Sequence, residues 1–453
     1  MTRQSVKWSI FAVTTLGNFS SMLDFSSVNI ALYQISNSFA LPVSTVQWVM
    51  LSYQIVLTSL LIFFGRLGDL TNRKKLYTAG FFLFGAGAAG AYFAQTFPVL
   101  LAARTVQGVG GSILIANSFS IVSLIFKGKQ RGKALGFMGA VTHLAGMSAP
   151  VVSGFIIEHF EWRSIFLPGV FIASVAVFLS WRFIPASFHR KKTAVDVVGT
   201  FLLAASVSLL LYMLAEGASW QIAAALIASA VLFLLHEKRI SAPLVNFELF
   251  KNKAFLFGCL ALMTSYWAMY PNTVLFPFYS QGVLENSAQL TGELILPFSL
   301  FYLITAVNTG TLPPYKRMVC GICLMGIALI LFAQTTLTTA NILLILMQIL
   351  IGVSNALFQP SANAAILGCA PKQNIGMASG IMSLFRNTGI ATGSVFSVMM
   401  FEHGKADLLA RGTDMKNAFL GAYHFSLYIG ATFAVLCLFW LIIAIRAKKG
   451  EEC

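Results

Sequence analysis

At 453 residues, with 57% hydrophobic and only 10% charged, the chain lacks the polar surface of a water-soluble fold, in which roughly 25% of residues are charged. The 30 Lys and Arg outnumber the 15 Asp and Glu, but the bases fall in short clusters between apolar stretches, so nucleic acid is not needed to explain them. Composition and placement together indicate a multi-pass membrane protein in contact with the lipid bilayer.

Apolar stretches of about 20 residues predict an all-α protein with fourteen transmembrane helices. They lie near 8–32, 46–65, 77–95, 99–121, 134–157, 164–184, 197–214, 220–236, 255–279, 291–311, 317–335, 340–366, 376–401 and 423–446. Loops are short except 237–253 and 402–422. The basic clusters recur at every second loop, including Arg66 to Lys75, Lys127 to Lys133 and Arg446 to Lys449. Acids such as Glu158 and Glu285 mark the alternate loops. This alternation predicts a cell (plasma or inner) membrane protein with both termini cytoplasmic. The helices group as six, two and six: residues 1–190, 191–252 and 253–453.

In the first span, Asp24 is a carboxylate placed mid-membrane at a cost of about 2.5–3.5 kcal/mol. Gly17, Ser20 or Ser21, Asp24 and Val28 share a small, polar stripe. Asp24 should therefore face a wet cavity or a partner, either as a proton-exchanging group or as a structural hydrogen-bonding group. The second span opens with Gln47-Trp48 and continues to Tyr53. The loop after it, Gly65-Arg66-Leu67-Gly68-Asp69-Leu70-Thr71-Asn72-Arg73-Lys74-Lys75, is too short to be anything but a hairpin hinge. Gly65, Asp69, Arg73 and Lys74 fit a gate, in which an acid at a span end meets a base or a helix N-terminus. Topological anchoring accounts for the bases but not for Asp69.

The fourth span carries Arg104-x-x-Gln107-Gly108-x-Gly110-Gly111. Arg104 should lie at a depth comparable to Asp24 and act by exchanging partners, since it does not deprotonate; a fixed buried pair or an anchor is the alternative. Gly136, Ala149, Pro150 and Gly154 in the fifth span permit a bend and close helix contact. His143 could titrate or simply hydrogen-bond. Later, Tyr266, Tyr270, Gln281, Asn355 and Gln359 are candidates to line a cavity with Trp48, Tyr53, Gln107 and Asp24. Glu293 is a second protonation candidate. Cys320-x-x-Cys323 enters an apolar helix and is not read as a redox or metal site.

These residues, in this order, resemble the fourteen-span drug:proton antiporters of the EmrB/QacA type in the major facilitator superfamily. Leu23-Asp24-Phe25-Ser26-Ser27-Val28-Asn29-Ile30-Ala31-Leu32 is similar to that family's first-span signature, and Gly65 to Lys74 to its loop between spans 2 and 3, with Asn72 in place of the usual glycine. Gly136, Ala145, Ala149-Pro150 and Ser153-Gly154 resemble its antiporter motif, three small residues replacing glycines. The resemblance implies the major facilitator fold, two six-helix bundles plus two inserted helices. It further implies a functional monomer and proton coupling through Asp24 and Arg104.

No nucleotide-binding loop, paired catalytic carboxylates or nucleophile constellation occurs. The expectation is a non-enzymatic transporter with no cofactor or metal, driven by a proton gradient. It would export lipophilic, cationic or zwitterionic drugs and dyes and thereby support antibiotic resistance. The alternatives are a dedicated exporter of one metabolite or peptide on the same fold, or a non-transporting membrane sensor or lipid-binding protein.

Overall fold

The computed structural model describes residues 3–126, 129–185, 196–216, 219–240, 247–308, 313–370 and 375–451, and among them helix is the only regular secondary structure. The first half contains α1 (Arg3–Phe39), a single turn α2 (Val43–Val46), α3 (Trp48–Leu70), α4 (Arg73–Tyr92), α5 (Phe97–Ile125), α6 (Lys129–His159) and α7 (Leu167–Phe183). The hairpin α8 (Val197–Glu216) and α9 (Trp220–Arg239) follows. Then come α10 (Lys253–Phe278), α11 (Ala288–Asn308), α12 (Pro314–Phe332), α13 (Asn341–Gly368), α14 (Ile375–Ala410) and α15 (Met415–Glu451).

Among the described residues, ten segments, rather than the expected fourteen, are long and apolar enough to cross a membrane. Of the expected spans, α1, α4, α8 and α14 fall short: the described apolar stretch of α8, Val197–Met213, is short, and α1 keeps polar groups inside the protein. Helix α1 alone buries Thr14, Asn18, Ser20, Ser21, Asp24 and Ser27. A second departure concerns residues 402–422, expected as a long loop. There α14 runs on to Ala410 and α15 starts at Met415, with Gly412 turning the chain at φ +84°. Local ion pairs favour helix over loop: Glu402 with Lys405 at 2.7 Å and Asp407 with Arg411 at 2.7 Å, spaced i,i+3 and i,i+4.

Contacts divide the chain into two units. One comprises Met1–Leu41, Trp48–Leu210 and Ser219–Leu244; the other comprises Pro42–Gln47, Leu211–Ala218 and Val245–Cys453. In the first, α5 is the helix on which α3 and α4 close. A methyl group on Gly110 would collide with the Phe84 backbone nitrogen, and one on Gly108 would lie 2.9 Å from the Tyr53 carbonyl oxygen. A methyl on Gly87 of α4 would lie 2.5 Å from the Gln107 nitrogen. Backbone therefore touches backbone, as small residues allow between membrane helices. In the second unit, Gly352 of α13 meets the Phe298 carbonyl of α11 in the same way, and Gly321 of α12 meets the Ser354 carbonyl of α13. This puts Gly352 in a helix contact.

The α8–α9 hairpin is clasped at both levels where polar groups occur. Ser206 donates to Ser229 at 3.0 Å across the pair. At its start, Asp196 Oδ1 accepts from the Gly199 N–H at 2.8 Å and from His236 Nε2 at 2.7 Å. Burial alone would push this carboxyl up, but the bonds from Gly199, His236 and Glu237 outweigh it and hold Asp196 below its ordinary value. A carboxyl lowered in the folded state stabilises above the ordinary carboxylate range, and that stability is lost as pH falls through the lowered value.

Two outcomes follow. Gly110→Ala should destabilise the protein by about 1–3 kcal/mol through overpacking, seen as a lower melting temperature in detergent. Gly139→Ala, where a methyl group meets nothing within 4 Å, should leave the melting temperature unchanged. For the hairpin, Asp196→Asn should lower the melting temperature at pH 7, with the gap to wild type narrowing below about pH 4. A gap that is constant with pH would show that the carboxylate charge is not what clasps the hairpin.

Candidate transport site

The polar stripe of α1 is buried in the first unit, and Asp24 there meets a partner. Asp24 is 4% exposed, and Arg104 and Gln107 of α5 are both 0% exposed. Arg104 Nη1 lies 2.6 Å from Asp24 Oδ2, and Gln107 Nε2 donates to Asp24 Oδ1 at 2.8 Å. Both carboxylate oxygens are thus satisfied by α5, from residues one turn apart. Arg104 Nη1 also donates to Gln107 Oε1 at 2.6 Å, which orients the amide so that its nitrogen faces Asp24. Arg104 Nε donates to the Val49 carbonyl at 3.1 Å, tying in the first turn of α3.

The guanidinium is further held by aromatic faces. It stands 4.6 Å from the Tyr53 ring centre and 5.7 Å from that of Phe166, within cation–π range. Tyr53 can approach because a methyl on Gly111 would come 2.6 Å from its hydroxyl. Among the described residues, Arg104 Nη2 is buried without a hydrogen-bond acceptor. Of the predicted cavity residues in this unit, Asp24, Tyr53 and Gln107 are therefore brought together; Trp48 is half-buried at the start of α3.

The small residues of α6 support the same place. Ala145 and Ala149 are fully buried and cluster with Leu23, the neighbour of Asp24. Pro150 lies inside α6, Gly154 is buried, and Ser153 Oγ donates to the Ala149 carbonyl at 2.6 Å beside the proline. At the hinge, Arg73 is used inside its own unit: Nε donates to the Gly68 carbonyl at 2.9 Å, satisfying an orphan acceptor at the end of α3. Lys74 sits 4.5 Å over the Trp181 ring of α7. Gly65 faces Ala116 of α5 with room to spare, whereas a methyl on Gly68 would strike the Asn117 side chain. The side chains of Asp69 and His143, like Gly136, lie outside the described residues.

In the second unit, Tyr266 Oη donates to Gln359 Oε1 at 3.3 Å, and Gln359 Nε2 donates to Ser265 Oγ at 3.4 Å. The Tyr270 ring lies 6.3 Å from that of Tyr266. Asn355, one turn before Gln359, is buried and bonds back to the Ile351 carbonyl at 3.4 Å. Gln281 lies apart, in the π-helical turn Tyr279–Val283 that prolongs α10. Glu293 is exposed on α11 and accepts from Gln289 at 2.9 Å.

A family model described as Major Facilitator Superfamily matches residues 14–394 and 312–452. The chain belongs to this superfamily. The riboflavin transporter RibZ of Clostridioides difficile is 30% identical to this facilitator over 98% of each chain. The multidrug resistance protein Stp of Mycobacterium tuberculosis is 28% identical over 84% of this chain and 73% of its own. The multidrug transporter protein MdtP of Bacillus subtilis is 27% identical over 85% and 74%. A crystal structure of a peptide transporter in complex with sulfate superposes with a TM-score of 0.71, at 14% identity and 99% coverage of both chains. At that identity the likeness concerns the fold alone. The protein is thus a small-molecule transporter of the multi-pass facilitator type, a class of non-enzymatic membrane proteins.

Sequence reasoning passed over one group in this facilitator. Arg386 lies inside α14, and its signal was plain: a lone base within the predicted span 376–401. It escaped notice because no acid in the sequence offered a partner by spacing.

The Asp24 cluster makes an energetic prediction. Arg104→Leu alone strands a buried carboxylate and should cost about 3–5 kcal/mol. The double variant Asp24→Leu, Arg104→Leu should cost clearly less than the sum of the two single variants, as measured by unfolding in detergent. Simple additivity would show that the two charges are not energetically coupled.

Proposed function

We propose that this transporter exports lipophilic, cationic or zwitterionic drugs and dyes in exchange for protons, by alternating access. The observation that carries the reading is the buried ion pair of Asp24 with Arg104. Arg104 stays charged in either state, so the only proton that can be gained or lost in this cluster is on Asp24. A proton arriving at Asp24 cancels the carboxylate, and Arg104 keeps its bonds to the Val49 carbonyl and Gln107. A cationic cargo that competes for the carboxylate displaces the same proton, so one acid serves two ligands in turn.

In this reading the crossings number fourteen, arranged as six, two and six, in a cell membrane with both termini cytoplasmic and one chain as the working unit. Gly65, Asp69, Arg73 and Lys74 control the inner opening. The small residues about Pro150 let α6 pack against α1 and hold Asp24 in place. The relatives named as multidrug proteins support this cargo. A second reading, dedicated transport of one metabolite, is favoured by the riboflavin transporter, because that alignment spans 98% of both chains.

The deciding experiment uses everted vesicles loaded by respiration, with fluorescent dyes and riboflavin as alternative cargoes. Dye accumulation should collapse on adding an uncoupler and fall by at least about tenfold in Asp24→Asn. Full activity of Asp24→Asn would overturn the coupling role. Accumulation of riboflavin but of no dye would establish the second reading instead.

A further inference from the structure

Helix α14 lies directly on α10. A methyl group on Gly389 would come 2.8 Å from the Met263 carbonyl oxygen, and one on Gly393 would come 3.1 Å from that of Tyr266. Trp267 Nε1 donates to Thr392 Oγ1 at 2.7 Å, which fixes the rotation of the two helices about each other. Arg386 is one turn before Gly389, so it shares the stripe that faces α10. Three helices, α14, α10 and α13, therefore bring the Arg386 stripe, the Tyr266 phenol about two turns further along it and the Gln359 amide bonded to that phenol into one neighbourhood.

Arg386 is eleven residues into α14, about 16 Å along the helix at 1.5 Å per residue. At that depth an arginine is costly and marks an ion, a partner or a ligand. Its one hydrogen bond among the described residues is long and local: Nη2 to Ser383 Oγ at 3.4 Å, within the same helix. Among the described residues, the ion pairs of this unit are Glu248 with Lys251, Glu402 with Lys405, Asp407 with Arg411 and Glu285 with Lys416, and none includes Arg386. Its Ser383 partner is a neutral hydroxyl. This contrasts with Arg104, which is matched by Asp24 at 2.6 Å.

A planar guanidinium with five donors suits a carboxylate or another planar acid, gripped by two parallel bonds. Further along the stripe, the Tyr266 ring with Tyr270 beside it at 6.3 Å suits a flat aromatic body. We propose that Arg386 is the substrate-binding cation of the second unit, and that the cargo is a planar aromatic molecule bearing an acidic group that Arg386 holds. The inference rests on the transport reading and narrows it, selecting acid-bearing and zwitterionic cargoes over purely cationic ones. Tyr266, held by Gln359, presents the ring face, and Arg386 supplies the charge.

The test is equilibrium binding to the full-length protein in nanodiscs of phosphatidylcholine only, so that no anionic lipid competes. The probes are carboxyfluorescein and its carboxyl methyl esters, which keep the ring system and remove the acid. Wild type should bind the acid at least about tenfold tighter than the esters, the scale of one charge-assisted contact. Arg386→Gln should abolish that preference, and Arg386→Lys should retain part of it. Equal affinity of wild type for acid and ester would overturn the proposal without recourse to any variant. So would an unchanged preference in Arg386→Gln. Because binding needs no gradient, loss of proton coupling in vesicles would sink the antiport reading and leave this result standing.

Discussion

The buried pairing of Asp24 with Arg104 is the constraint around which the first unit is arranged. Removing two full charges from water costs several kcal/mol for each ion, and their attraction offsets that only when the remaining lone pairs and protons are also satisfied. Here Gln107 supplies the second carboxylate oxygen with a donor and the Val49 carbonyl takes the guanidinium Nε, while Nη2 has no acceptor among the described residues. Those partners come from α1, α3 and α5. Three helices must therefore hold register to within a fraction of an ångström, or the pair becomes a liability instead of a link.

The glycines of α5 meet that requirement. Gly108, Gly110 and Gly111 remove the side chains that would keep α3 and α4 at an ordinary distance, and Tyr53 closes over the guanidinium in the space released. The Ala145 and Ala149 face of α6 does the same beside Leu23 on the far side of Asp24. Small residues thus serve the charge cluster from both flanks. The consequence for dynamics is that a change of charge at Asp24 is felt by contacts with no slack, where interfaces shift between discrete packings instead of deforming gradually.

Much of this was legible in the chain. The apolar periodicity marked the long helices, and Asp24, Arg104 and Gln107 stood out because charge and amide in a span demand partners. Their mutual contact was legible too, since Arg104 and Gln107 lie three apart on one helical face. What escaped was set by packing. The 402–422 segment looked like a loop from its charges, but those charges pair at helical spacing. Arg386 has no acid near it in sequence, and only the seating of Gly389 and Gly393 on α10 shows which way its stripe faces.

The two units consequently solve the cost of an intramembrane arginine in different ways. In the first, the countercharge is built in, so the neighbourhood is electrically balanced. In the second, the hydrogen-bond partner of Arg386 among the described residues is the neutral Ser383 hydroxyl, which lowers its cost without cancelling its charge. A balanced site answers to protonation, because adding one proton exposes a full positive charge. An unbalanced site answers to an arriving anion, because only a ligand can supply what the fold omits. Energy coupling and cargo selection can then reside in separate halves of one chain, each with the chemistry its task requires, and a change in cargo over evolution need not disturb Asp24.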